Sequence, residues 1–284
     1  MSLSLPTPLV DAAWVADHLD HPDLVILDCR FSLADPELGR RQYQERHLPG
    51  AHYLHLNQDL SSPVQTHGGR HPLPDLADLV PKLERCGVRS PKNGPLGPLH
   101  PPTAVIVYDD FRGAFASRLW WLLHYLGHDT VAVLQGGYSG WQRAGLPTTT
   151  QLPPPSSELF QPRPQKNWVV DHATAEALNQ QSGVTLVDAR SPERFRGEQE
   201  PIDPIAGSIP GAINSFWQQV VDEEGVFLPP ANLQAHWAPL DSTEVVMYCG
   251  SGVTACVNLL SRVAAGYPMD RLYVGGWSDW CSYL

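Results

Sequence analysis

The sequence predicts an α/β protein made of two tandem copies of one domain, each a mostly parallel sheet flanked by helices. Three observations carry the prediction. Short apolar runs alternate with helix-like stretches, the pattern recurs in the second half of the chain, and a proline-rich join separates the halves. The runs Leu24–Leu27, Ala104–Tyr108, Val131–Leu134, Thr185–Val187, Val245–Tyr248 and Leu272–Val274 are short, apolar throughout and rich in β-branched residues. Runs without alternation suit strands covered on both faces. Phe115 to Leu126, Thr174 to Gln181 and Val253 to Ala265 read as the helices between them. Strands alternating with helices give a parallel sheet, whose ligands bind at the carboxyl ends of strands.

The repeat is legible in four matched segments. V-I-L-D-C-R (Val25–Arg30) pairs with T-L-V-D-A-R (Thr185–Arg190), and R-H-L-P-G-A, ending at Ala51, with G-S-I-P-G-A, ending at Ala212. A-V-I-V-Y-D, ending at Asp109, pairs with E-V-V-M-Y-C, ending at Cys249. V-L-Q-G-G-Y-S-G-W, ending at Trp141, pairs with Y-V-G-G-W-S-D-W, ending at Trp280. Four matches in one order indicate a duplicated unit. Between the copies, Leu152–Pro164 carries Pro153, Pro154, Pro155, Pro162 and Pro164, a stiff linker by composition. The expected domains are therefore residues 1–152 and 165–284. A second Pro/Gly-rich stretch, Pro91–Pro102, reads as a surface loop.

Composition narrows the function. The net charge of −11 argues against nucleic-acid binding, which needs clustered Lys and Arg. An acidic surface also repels small anions, so an anionic substrate must be held by local dipoles and particular arginines. No run of about 18 apolar residues predicts a membrane span. Met1 to Val10 lacks the basic and apolar regions of a secretory signal. A soluble, cytoplasmic protein is the expectation. The five cysteines, Cys29, Cys86, Cys249, Cys256 and Cys281, include no C-x-x-C pair, against a zinc ribbon or a thioredoxin motif.

Chemistry concentrates after the run Val245–Tyr248. An apolar strand ends at Cys249, the loop Gly250-Ser251-Gly252-Val253-Thr254 follows, and a helix begins. Gly250 and Gly252 can take backbone angles closed to other residues. A tight loop of this kind aims several N–H groups at one point, and the helix start adds more. A cysteine facing such a cradle has its thiolate stabilised, and the thiolate is the nucleophile. The same cradle holds an anionic persulfide sulfur. The competing reading is a buried cysteine before an ordinary turn.

The loop C-G-S-G-V-T and the duplicated organisation resemble the tandem rhodanese sulfurtransferases, of the thiosulfate and 3-mercaptopyruvate type. The likeness extends to D-x-R after the first strand of each half, to H-L-P-G-A and I-P-G-A, to R-L-W-W at Arg118–Trp121, and to G-G-W-S-D-W near the C-terminus. It implies two rhodanese-like domains of which only the C-terminal one is catalytic. Asp109 stands where Cys249 stands in the second copy, and a carboxylate cannot carry sulfane sulfur, so the first domain is expected to be an inactive scaffold that closes the site. The resemblance also implies that Cys249 takes sulfur from a small-molecule donor as a persulfide. A thiophilic acceptor such as cyanide, a thiol or a thioredoxin-like protein then removes it, with no metal or organic cofactor.

Donor preference is marked by three features. C-G-S-G resembles the mercaptopyruvate enzymes, whereas the thiosulfate enzymes tend to carry a basic C-R-K-G loop; Ser251 can donate its hydroxyl to a substrate oxygen. Arg190 matches the first of two arginines that such enzymes place on the substrate carboxylate. The second lies in a segment written E-P-R, which here reads Glu200-Pro201-Ile202, with Arg194 and Arg196 nearby. His71, in H-P-L-P, resembles a histidine that reaches the site, which makes a His71–Ser251 relay the expected general acid–base pair. The expected site is thus Cys249, Ser251 and His71 for catalysis, and Arg190, Gly250, Gly252, Val253 and Thr254 for substrate. Other readings are a cysteine phosphatase, opposed by Ala255 where phosphate-gripping arginine is needed, a dedicated persulfide carrier, and a non-catalytic sulfur-binding module.

Overall fold

The computed structural model describes residues 3–94, 97–240 and 244–284. The chain divides into two compact units: Met1–Leu60, Pro74–Gln165 and Glu223–Val226 form one, and Ser61–Leu73, Lys166–Asp222 and Phe227–Leu284 the other. The segment 61–73 precedes most of the first unit in sequence, yet it packs within the second.

The first unit runs β1 (Leu9–Val10), α1 (Ala12–Asp17), β2 (Leu24–Asp28), α2 (Leu38–Glu45), β3 (Ala51–Tyr53), α3 (Leu76–Arg85), β4 (Lys92–Gly94), β5 (Gly97–His100), β6 (Ala104–Tyr108), α4 (Ala114–Tyr125), β7 (Val131–Leu134) and α5 (Gly137–Arg143). The second runs β8 (Val169–Val170), α6 (His172–Asn179), β9 (Val184–Asp188), α7 (Pro192–Phe195), β10 (Ile213–Asn214), α8 (Pro230–Trp237), β11 (Glu244–Tyr248), α9 (Ala255–Ala264), β12 (Arg271–Tyr273) and α10 (Gly276–Trp280). Each unit holds a five-stranded parallel sheet, in the orders β1-β7-β6-β2-β3 and β10-β9-β11-β12-β8. Read from opposite ends these are one topology, with β6 and β11 central. The register repeats too: Asp28 lies opposite Tyr108, and Asp188 opposite Tyr248.

The local reasons are duplicated as well. After each two-residue edge strand an aspartate caps a helix: Asp11 Oδ1 accepts the Trp14 N–H and Asp171 Oδ1 the Thr174 N–H, both at 2.8 Å. β6 is buried along its length and β11 from Val245 onward, as their apolar runs require. One core gathers Ile26, Ile106, Tyr108, Ala132 and Trp141, and the other Leu186, Val246, Tyr248, Tyr273 and Trp277. Each fully buried Val or Leu of this kind contributes about 1.5–3 kcal/mol.

The reading of Pro91–Pro102 as a loop is corrected in part. β4 and β5 pair as an antiparallel hairpin, with Asn93 opposite Pro98; Pro95 and Leu96 lie outside the described residues. Each strand of a two-stranded ribbon has an outward-facing edge, where a proline's missing N–H interrupts no ladder.

Candidate active site

Cys249 follows β11 and is buried. Its carbonyl accepts the Trp277 N–H at 2.8 Å. The two glycines of the loop after it differ. Gly252 has φ +69°, and a Cβ there would stand 2.3 Å from the Val274 carbonyl oxygen, so the backbone requires glycine. Gly250 is not among the positive-φ glycines, and a Cβ there would meet, at 2.7 Å, only Nη2 of Arg70, the movable end of a long side chain. α9 begins at Ala255, after the loop closes. Cys256, in the first turn of α9, is buried and donates its S–H to the Gly252 carbonyl at 3.4 Å.

The first repeat shows what such a loop does to an anion. Asp109 ends β6 as Cys249 ends β11, and the Asp109 carbonyl likewise accepts an N–H, from Tyr138 at 2.9 Å. Its carboxylate turns into the loop. Oδ1 accepts the N–H of Phe111 (2.8 Å) and Gly113 (2.9 Å), and Oδ2 those of Phe115 (2.7 Å) and Ala116 (2.9 Å). Burial pushes this carboxyl up from its ordinary pKa, and the four amides pull the other way. Arg112 takes the left-handed φ of 54° at the position of Gly252.

Segment 61–73 brings His71 to the loop. His71 Nδ1 lies 2.7 Å from Ser251 Oγ. The segment is pinned on both sides of this contact. The Arg70 N–H donates to Ser278 Oγ (3.1 Å) and the Gly68 N–H to Asp279 Oδ1 (2.6 Å). His67 stacks on Tyr283 with ring centroids 4.1 Å apart. Gly69 is pressed against the backbone, since a Cβ there would meet the Gly275 oxygen at 2.4 Å.

Arg190 sits in a chain of ion pairs. Its Nη2 donates to Asp188 Oδ2 and to the Gly207 carbonyl, each at 2.7 Å, its Nε to both Asp188 oxygens, and its Nη1 to Glu200 at 3.1 Å. Burial pulls its pKa down, but the hydrogen bonds and charge of Asp188, with Tyr248 and Glu200, leave it above its ordinary value. The first repeat builds the same pair: Arg30 Nη2 donates to Asp28 at 2.6 Å and to the Arg46 carbonyl at 2.7 Å. An arrangement that recurs where Asp109 stands in place of Cys249 serves the fold first. From Glu200 the chain continues to Arg194 Nη2 (2.7 Å), from Arg194 to Asp203 (3.0 Å), and from Asp203 to Arg70.

Of the expected residues, Cys249, Gly250, Ser251, Gly252, Val253 and Thr254 are one loop, and His71 reaches it. Arg190 lies beneath, turned to carboxylates. Arg196 is exposed and pairs with Glu198, and Ile202 is exposed. Trp277 and Trp280 belong to the core. Sequence reasoning missed Arg70, Glu200 and Asp203. The one available signal was adjacency, with Arg70 next to His71 and Asp203 next to Ile202.

Comparison with known proteins fits this geometry. The family model described as a rhodanese-like domain matches twice, over residues 11–144 and 171–283. The chain belongs to the rhodanese-like family. Among relatives of this rhodanese-like chain, a Pseudomonas aeruginosa protein named "Probable 3-mercaptopyruvate sulfurtransferase" is 46% identical over 280 residues, covering 96% of this chain and 94% of that one. The 3-mercaptopyruvate sulfurtransferase of Homo sapiens is 32% identical over 288 residues, covering 96% and 91%. The crystal structure of SseA from Escherichia coli, described under the "Rhodanese" fold and catalytic mechanism of 3-mercaptopyruvate sulfotransferases, superposes with a TM-score of 0.80 at 29% identity, covering 95% of this chain and 99% of that one. The protein is accordingly a tandem-domain sulfurtransferase. No helix among the described residues is long and apolar enough to cross a membrane.

Proposed function

We propose that Cys249 carries sulfane sulfur from 3-mercaptopyruvate or thiosulfate to a thiol acceptor. The observation that carries this is the first repeat's loop, where four amide N–H groups converge on the Asp109 carboxylate. The matching loop of the second repeat offers the same kind of cradle to a thiolate and then to a persulfide.

The Cys249 thiolate attacks the donor's sulfur and an S–S bond forms. With mercaptopyruvate the C–S bond breaks, and its electron pair leaves on carbon as the enolate of pyruvate, which then takes up a proton. With thiosulfate the donor's own S–S bond breaks and the pair leaves with sulfite. Ser251 donates its hydroxyl hydrogen toward the substrate carbonyl oxygen as negative charge gathers there, and His71, 2.7 Å away, sets the direction of that hydrogen and relays the proton. Arg190 holds Glu200 and thereby the arginine beyond it. An acceptor thiol, such as a thioredoxin-like protein of the cytoplasm, attacks the outer sulfur and returns Cys249 to thiolate. All five cysteines are free, which fits a reducing compartment.

The test is steady-state transfer to cyanide from each donor, with Cys249→Ser as control and the intact mass of the donor-treated protein as second readout. Turnover with either donor and a mass gain of one sulfur on the Cys249 peptide support the reading. A reactive Cys249 that turns over neither donor overturns it in favour of a dedicated persulfide carrier.

A further inference from the structure

The two repeats complete one arginine differently. Arg190 directs Nε and Nη2 to Asp188 and gives Nη1 to Glu200 at 3.1 Å. Arg30, its counterpart, makes the same pair with Asp28 through Nε and Nη2, but its Nη1 has no hydrogen-bond partner among the described residues. The acidic residues that follow it, Asp35 and Glu37, turn to Arg41 and Arg40. Arg30 is 2% exposed, so it is a buried cation with one donor nitrogen left over. That nitrogen is not sealed in. Among the described residues, the enclosed side-chain nitrogens without a partner are Arg118 Nε, Trp120 Nε1, Trp121 Nε1 and Arg262 Nη1.

Open space lies beside it. Arg30 lines two cavities, of about 380 and 350 Å³, which share Arg30, Gln42 and Asp110 in their walls. They sit past the carboxyl ends of β2 and β6. β2 leads to β3 on one side and β6 to β7 on the other, so the winding of the sheet reverses here, which is where such sheets take ligands. The larger cavity is walled by Phe31, Leu33, Leu38, Phe111 and Phe115. Phe31 meets Phe115 edge-on with ring centroids 5.3 Å apart, and Phe111 stacks on Phe115 at 5.6 Å. Leu33 is 58% exposed and Phe111 49%, so apolar surface stands open at the rim. The charged groups of the smaller cavity are Arg30, Arg46, Glu45 and Asp110. Of its two carboxylates, Asp110 already takes the Ser139 N–H (2.9 Å) and hydroxyl (3.1 Å), and Glu45 is exposed.

We infer that this cavity of the first repeat is a binding site for a small aromatic carboxylate. The ligand's carboxylate takes the Nη1 donor that Glu200 takes in the second repeat, and its ring lies against Phe111 and Phe115. A guanidinium N–H on a carboxylate is a charge-assisted bond, and an apolar wall with a few placed polar groups is the usual make-up of a small-molecule site. The second repeat carries its carboxylate in the chain; the first leaves the place to a ligand. The assignment does not depend on the chemistry of Cys249.

The experiment uses the full chain with 4-benzoylbenzoate, a photoreactive aromatic carboxylate, and with its neutral amide. After irradiation the adducts are located by peptide mass spectrometry. They should fall on residues 31–38 and 111–115, and the amide should label these segments about 10-fold less. Arg30→Lys keeps a cation for Asp28 but has no second nitrogen for the ligand, and should lower labelling by the carboxylate about 10-fold. Leu33→Glu changes an exposed rim position, where folding is not at stake, and should lower carboxylate labelling by a similar factor while affecting the amide less. Adducts confined to the Cys249 loop overturn the assignment. Equal labelling of 31–38 and 111–115 by carboxylate and amide, or labelling unchanged in both variants, overturns it as well. Because the readout is the position of the adduct, it is independent of whether Cys249 transfers sulfur.

Discussion

Asp109 and Cys249 end the same central strand in two copies of one unit, and the two loops do opposite things with similar machinery. In the first copy the anion is permanent. Four amides are spent on a carboxylate, and the loop is locked, to the point that Arg112 accepts a left-handed backbone. In the second copy the strand is followed by a thiol, which in the proposed reaction stays anionic as thiolate and as persulfide, and Gly252 supplies the left-handed turn without strain. Ser251 replaces Phe111, which puts a hydroxyl where the first copy has an exposed ring. One backbone thus yields a structural anion site in the first copy and, on the proposed reading, a catalytic one in the second, according to which side chain closes the strand.

The sharpest way to break this comparison is to exchange its terms. Cys249→Ser should reduce donor-dependent transfer to background, a loss of about a thousandfold or more, while changing unfolding free energy by about 1 kcal/mol or less. Asp109→Ala should do the reverse. Four buried amides lose their acceptor, and a cost of about 3 kcal/mol is expected in urea unfolding. If Asp109→Ala leaves stability untouched, the amides find other partners and the two loops are not equivalent cradles.

A narrower test concerns Ser251. Sulfite leaves with its electron pair on an already stable anion, whereas the pyruvate enolate needs a proton donor at its oxygen. Ser251→Ala should therefore lower kcat with mercaptopyruvate about 100-fold and affect thiosulfate only a few-fold. Equal losses with both donors would show Ser251 to be a loop-former and not a proton donor.

Much of this was legible before any coordinates. The central strands and α4, α6 and α9 announced themselves because continuous apolar runs are required of strands covered on both faces, and the repeat fixed their order. The edge strands β1, β8 and β10 did not, because two residues at an edge carry no periodicity. Cys249, Ser251 and the loop were contiguous and hence readable. His71 was readable only through its motif. The ion-pair chain through Glu200, Asp203 and Arg70 was not, since charged residues give no spacing signal until a fold joins segments 61–73 and 190–203. Arg190 illustrates the converse: a motif named it, but not the Asp188 and Glu200 contacts that occupy it.

The smallest expected effect is a difference in acid sensitivity between the units. The first contains His52, His55 and His128, each with its pKa lowered by burial, and burial holds His128 down to about 4 against the opposing hydrogen bond to the Thr103 carbonyl, 2.9 Å from its Nε2. The second unit has His236, lowered by a half-buried setting. Above pH 6.5 His128 is neutral whether folded or unfolded, and its protonation contributes nothing. As pH falls from 6.5 toward 4, the unfolded chain takes up a proton that the folded imidazole refuses, so stability is lost across that window. Between pH 7 and pH 5 the loss from this one residue is about 2 kcal/mol. His128→Gln keeps an N–H for the Thr103 carbonyl and cannot titrate. Its urea midpoint should therefore fall less between pH 7 and pH 5 than that of the natural protein, by an amount equivalent to about 2 kcal/mol. Equal falls would mean that His128 takes up its proton without unfolding, and would place the acid sensitivity elsewhere in the chain.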